Sequence, residues 1–262
     1  AMAEASVLGQ TQRPSSRQLK LLEKQEGKRG VFIVFEGPDA GGKSTQRKLF
    51  EKWLESEGYK VVSTKPNSSP LVKPLIKARK AAHALSPAEM CLLEAAEFRH
   101  RLENEILPAL WKGQIVLADR HLFSNFARNA ARGLRLDWQL NAYAPLFWPD
   151  MVFYFAISAE ASIDRIAAMG EPGFYQAGQD ITNIENPFAS YRQFMHRVIQ
   201  EYESLAMIFH FMTVDAEQSI YAQHRALRQL FKQGNRRPWA EWNADAVLEW
   251  LERKPPAAEV KS

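Results

Sequence analysis

Gly37-Pro-Asp-Ala-Gly41-Gly42-Lys43-Ser44 fits the spacing G-x-x-x-x-G-K-[ST], and each part of that pattern answers to phosphate chemistry. Gly37, Gly41 and Gly42 let successive backbone N–H groups turn inward around phosphate oxygens without Cβ clashes. A helix opening at this point would aim its positive dipole end at the anion. Lys43 can bridge β- and γ-phosphates, and the Ser44 hydroxyl is the expected Mg²⁺ ligand, with Thr45 supporting the phosphate end and Asp39 inside the loop. The pattern implies a phosphotransferase that takes ATP with Mg²⁺. Chance alone would produce such a match in a chain of this composition at a rate on the order of 1%.

A second group is Asp119-Arg-His-Leu-Phe-Ser124, directly after a short apolar run. An ordinary strand-end ion pair between Asp119 and Arg120 is one account of it.

Such groups need a scaffold. Val31-Phe-Ile-Val-Phe35 is a continuous apolar, β-branched and aromatic run, as expected of a strand buried on both faces of a parallel sheet. Further strands are predicted at 59–63, 114–118, 151–157 and 208–214. Helices are predicted at 43–57, 87–111, 137–147, 159–169, 188–207 and 216–233. Asn67–Pro70 and the Gly/Pro/Asn-rich stretch 170–187 read as loops. Strands alternating with helices imply a doubly wound α/β sheet. The polar stretch 1–29 is expected to be a flexible N-terminal arm, 30–233 the phosphate-binding domain, and 234–262 a C-terminal extension. In that extension Trp242, Val247, Trp250 and Leu251 would form one stripe of a short helix.

The bulk properties allow this. Hydrophobic residues are 46% of 262, enough for an ordinary core. The formal charge of +4 suits phosphate ligands but equally a solvated basic surface. Cys91 is the one cysteine, so no disulfide forms within the chain, and a reducing, cytoplasmic compartment is expected. The six histidines make no HExxH or Cys/His cluster, so zinc is not expected. No apolar run is long enough for a membrane span, and no signal peptide pattern opens the chain. No basic-aromatic stripe marks a nucleic acid partner.

Phe35-Glu-Gly-Pro-Asp39 running into Gly-Gly-Lys-Ser-Thr45 resembles the FEGxDGxGKST loop of thymidylate kinases. Asp119 to Asn129 resembles that family's DRYxxSxxAYQ segment, Arg132 to Trp138 its GRGLxLDW, Trp148 to Phe155 its RPDxTFYL strand, and Val214-Asp-Ala216 its IDA turn. The likeness runs over about residues 30–232. It implies an α/β P-loop kinase fold with a five-stranded parallel sheet flanked by helices and a lid loop, a small-molecule nucleotide acceptor with dTMP first, and a homodimer. It implies acceptor-binding roles for Glu36, Lys65, Arg99, Arg120, Ser124 and Asn129, metal binding by Ser44 and Asp119, and catalytic roles beside Lys43 for Asp119, at a strand end where ligands bind, and for Arg120, whose fork matches the acceptor phosphate.

The sequence also departs from the family. Lys65-Pro-Asn-Ser68 stands for Arg-Glu-Pro-Gly, keeping a charge but losing the fork. The arginine of the AADRA helix falls on Phe98, with Arg99 about 100° around the helix. Ala40 occupies the P-loop position, and 170–180 the lid, from which the family draws its catalytic arginine; 170–180 holds no Arg or Lys. Arg165, Arg192 and Arg128 are the nearest substitutes, and Arg132 is read as reaching either phosphate or, in preference, the surface. Three other functions therefore stay open: a polyphosphate-dependent nucleotide kinase, a kinase of a modified base in DNA, and a nucleotide-binding regulatory protein with reduced catalysis.

Overall fold

The computed structural model describes residues 30–144 and 146–234. The expected arm at 1–29 and the Trp-containing helix after 234 lie outside the described residues. Five strands form one sheet: β1 (Phe32–Glu36), β2 (Val61–Thr64), β3 (Ile115–Asp119), β4 (Met151–Ala156) and β5 (Met212–Asp215). Their order is β2-β3-β1-β4-β5 and every pairing is parallel.

The strands sit in the middle because their side chains are apolar on both faces. Phe32 and Val34 of β1 point to one layer with Val116, Ala118, Val152 and Tyr154. Ile33 and Phe35 point to the other with Leu117, Phe153 and Phe155. Period-two alternation thus feeds two cores at once. The second core is closed by α1 (Lys43–Ser56), through Phe50, Trp53 and Leu54, and by α11 (Ile220–Lys232), through Leu227 and Phe231. The first is closed by α3 (Pro87–Arg101), α5 (Leu122–Ala131), α6 (Leu136–Tyr143), α7 (Ala159–Met169) and α10 (Pro187–Ile208).

Four local outcomes differ from expectation. α2 (Lys73–Ala81) forms where no helix is predicted, because its lysine-rich sequence buries only Ile76 and so carries a weak apolar signal. α5 is a helix that the resemblance treated only as a motif. The predicted helix 87–111 is interrupted by a π-helical turn, Leu102–Ile106, before α4 (Leu107–Trp111). Pro108 follows, a residue that cannot donate its own helical hydrogen bond. The stretch 170–187 holds two short helices, α8 (Phe174–Ala177) and α9 (Gln179–Thr182). Gly178 joins them at φ 72°, and a Cβ there would lie 2.4 Å from the Phe194 ring, so only glycine lets the segment seat on α10.

Candidate active site

The strand order reverses around β1, and the carboxyl ends of β1 and β3 open side by side, with Phe35 level with Asp119. In open parallel sheets ligands bind at such a crevice. The P-loop leaves β1 there. Gly37 has φ 136°, and a Cβ would lie 2.6 Å from the Phe155 carbonyl oxygen; the loop passes too close to β4 for any side chain. Ala40 adopts φ 56°, a left-handed conformation unusual for a residue with a Cβ. Gly42, also left-handed, precedes the first turn of α1.

Lys43 is buried, and its ammonium donates to the Pro38 carbonyl oxygen. Burial lowers it to about 7, reinforced by Arg120 and opposed by Asp39, Asp119 and Glu36. Ser44 and Thr45 are exposed at the mouth. The Ser44 hydroxyl donates to Asp119 Oδ2, so P-loop and strand end supply two adjoining oxygen donors. Magnesium prefers hard oxygen ligands and takes one or two carboxylates beside substrate phosphates, and this pair fits it.

Asp39, inside the loop, is the hub of a second cluster. Its Oδ1 accepts from Arg120 Nη2 and from Arg128 Nη2, both at 2.7 Å, and its Oδ2 accepts from Gln176 Nε2 at 3.1 Å. Burial raises this carboxyl, but the Arg128 and Arg120 guanidiniums and Lys43 outweigh it and hold it well below its ordinary value. Arg120 has φ 69°. Its Nη1 donates to Gly37 O at 2.8 Å and Ser124 Oγ at 3.0 Å, and its carbonyl accepts from the buried Arg101 at 3.2 Å.

Behind Arg120 lies Glu36, fully buried. It accepts from the His121 N–H at 2.8 Å, Ser124 Oγ at 2.5 Å and Tyr202 OH at 3.0 Å. Burial raises its carboxyl above the ordinary value despite these donors, of which Ser124 favours the charged form most. His121 is pushed down to about 3 by burial, with Arg101 adding to it. Glu36 thus braces the strand-end turn that carries Arg120 and Ser124.

Beside the loop opens a cleft of about 280 Å³ lined by Asp39, Arg120, Ser124 and Arg128, with Lys80, Glu94, Glu97, Arg132 and Gln176. Asn129 is fully buried on α5, its Nδ2 3.4 Å from Glu94 and its Oδ1 unpartnered. Lys65 is exposed, while its neighbours Pro66 and Asn67 line the cleft. Arg99 is not among the lining residues and donates to the Tyr143 carbonyl oxygen at 3.2 Å. Phe98 is buried between His121 and Tyr143 rings. The lettered pattern missed Arg128 and Gln176 as parts of the Asp39 cluster. The signal was present: Ser124, Arg128 and Arg132 recur every fourth residue, on one helix face.

Arg132 corrects the surface reading. Its side chain is 2% exposed and meets Asp180, 6% exposed, at 2.8 Å. It also donates to the Tyr175 carbonyl at 2.7 Å and lies 4.5 Å from the Phe194 ring centroid. The segment after α7 is thereby pinned over the cleft.

The family model described as thymidylate kinase matches residues 35–227. The chain belongs to the thymidylate kinase family. It is similar to "Probable thymidylate kinase 2" of Saccharolobus solfataricus, 32% identical over 73% of this chain and 91% of that protein. It is also similar to "Thymidylate kinase" of Halothermothrix orenii, 31% identical over 76% and 95%, and to "Probable thymidylate kinase" of Thermococcus gammatolerans, 31% identical over 78% and 97%. In this member of the thymidylate kinase family Asp39 meets Arg128, and the segment 170–180 holds no Arg or Lys. Among the described residues no helix is long and apolar enough to cross a membrane.

Proposed function

We infer that this chain, through residues 30–233, transfers the γ-phosphate of ATP to a nucleoside monophosphate, with dTMP the acceptor. The observation that carries the reading is the P-loop opening beside Asp119 and Arg120 at the carboxyl ends of adjacent strands, together with membership in the family. ATP would lie with its phosphates against the N–H groups of Gly37 to Thr45 and the Lys43 ammonium. Ser44 and Asp119 would hold Mg²⁺, which when bound supplies charge neutralisation on the β- and γ-phosphate oxygens.

Arg120 would take the acceptor phosphate, exchanging its Asp39 contact for it. Glu36 and Ser124 keep Arg120 and the turn that carries it in position, and Asn129, fully buried and outside the cleft lining, remains a base-reading candidate by resemblance alone. Lys65 and Arg99 remain acceptor candidates by resemblance alone, the first at the mouth and the second turned to Tyr143. The segment 170–187 over the cleft excludes water, so that the acceptor and not solvent receives the phosphoryl group. The reading extends to a homodimer in the cytoplasm, on the same likeness. Its test is ATP-dependent formation of the nucleoside diphosphate, lost in Lys43→Ala.

A further inference from the structure

Phosphoryl transfer leaves the protein little covalent work; it proceeds by positioning and by neutralising charge on the transferred group. The arginines around the P-loop differ in what already holds them. Arg165 commits Nη1 to Ala40 O and Nη2 to Ala216 O, both at 3.0 Å, on the far side of the loop. Arg192 is 56% exposed and 3.6 Å from Glu160. Arg132 is locked to Asp180. Arg120 is shared among Gly37 O, Ser124 and Asp39.

Arg128 differs from all of these. It projects from α5 into the cleft, with its side chain 19% exposed, and meets Asp39 Oδ1 at 2.7 Å. That same oxygen already receives Arg120 at 2.7 Å. Two guanidiniums thus share one carboxylate oxygen, and Arg128 also feels the Glu94 carboxyl, which lines the same cleft. A guanidinium that shares its acceptor has N–H groups to offer a phosphate beside the loop.

We propose that Arg128 is a catalytic residue, whose guanidinium leaves Asp39 and contacts the equatorial oxygens of the phosphoryl group in flight. The proposal rests on the kinase reading above. In the step, an already ionised oxygen of the acceptor phosphate forms the bond to Pγ. The bond from Pγ to the bridging oxygen breaks, and its electron pair stays on ADP. Arg128 keeps all its protons and contributes charge. Asp39, with Gln176 on its second oxygen, holds the guanidinium until both nucleotides are in place.

The test uses the full chain, Arg128→Ala and Arg128→Lys. For Arg128→Ala, kcat with ATP and dTMP falls on the order of 10³-fold while ADP affinity is kept, and added guanidinium ion restores part of the rate. Arg128→Lys, which keeps the charge and the contact to Asp39, falls less. Independently of any acceptor turnover, ADP with tetrafluoroaluminate mimics the phosphoryl group in flight. It binds the wild type more tightly than ADP alone, and Arg128→Ala loses that gain. A gain lost in the variant while the wild type turns over no acceptor would keep this role and refute the acceptor reading. A fluoroaluminate gain retained in Arg128→Ala, no gain in the wild type, or an unchanged kcat overturns the role of Arg128.

Discussion

Gln176 donates its side-chain N–H to Asp39 Oδ2 at 3.1 Å, joining the segment over the cleft to the phosphate loop 137 residues away in sequence. The contact makes the position of the lid depend on the charge state and partners of one P-loop carboxylate. Replacing Gln176 by Ala removes a hydrogen bond to a charged group, a loss of about 1.5 kcal/mol or somewhat more. Amide exchange at 174–182 should speed up by roughly tenfold, with the global unfolding midpoint little changed. Unchanged exchange there would mean the tie is incidental.

The Arg132–Asp180 pair should behave differently. Both side chains are nearly inaccessible, so Asp180→Ala strands a guanidinium in the interior. The expected loss is about 3–5 kcal/mol, read by denaturant unfolding. The double variant Arg132→Met with Asp180→Leu should recover much of it, since a buried pair is often no better than apolar packing of similar volume.

Lys43 sets a pH dependence. Burial holds it near 7 in the free protein, against about 10.4 in the unfolded chain. At about pH 8 the Lys43 side chain of the free protein is mostly the neutral amine, and an arriving triphosphate favours its charged form. Nucleotide binding should therefore take up close to one proton at about pH 8 and almost none at about pH 6. Calorimetry in two buffers of different ionisation enthalpy measures this, and Lys43→Met should abolish it. The same depression has a consequence for folding: between about 7 and 10.4 the unfolded chain binds more protons, so this group's contribution to stability rises with pH across that window.

Gly37→Ala should break the loop. The added Cβ would meet the Phe155 carbonyl oxygen at 2.6 Å in a backbone that already has φ 136°, at a cost of roughly 2 kcal/mol or more. Nucleotide affinity should fall with it. Ala40→Gly, at φ 56°, relieves a left-handed strain while loosening the unfolded chain, so its stability should stay within about 1 kcal/mol of the parent. Thermal melts with and without ADP separate the two.

These contacts show why the sequence disclosed some parts and hid others. The loop from Gly37 to Thr45 and the strands are local signals, carried by glycine spacing and by unbroken apolar runs such as 31–35. Asp39 meets Arg128 across 89 residues and Arg132 meets Asp180 across 48, and no local pattern announces a partner that only the fold supplies. α2 escaped because a helix that buries one residue leaves little periodicity to read. Phe98 was visible as a departure, but its packing in the core against the His121 and Tyr143 rings needed the fold to appear.

The most direct measurement is a transfer assay with γ-labelled ATP against the common nucleoside monophosphates, with polyphosphate as alternative donor and Lys43→Ala as control. The account predicts label passing from ATP to dTMP to give dTDP, and its loss in Lys43→Ala. Label transfer from polyphosphate but not ATP, or ATP binding without transfer to any monophosphate, would contradict it.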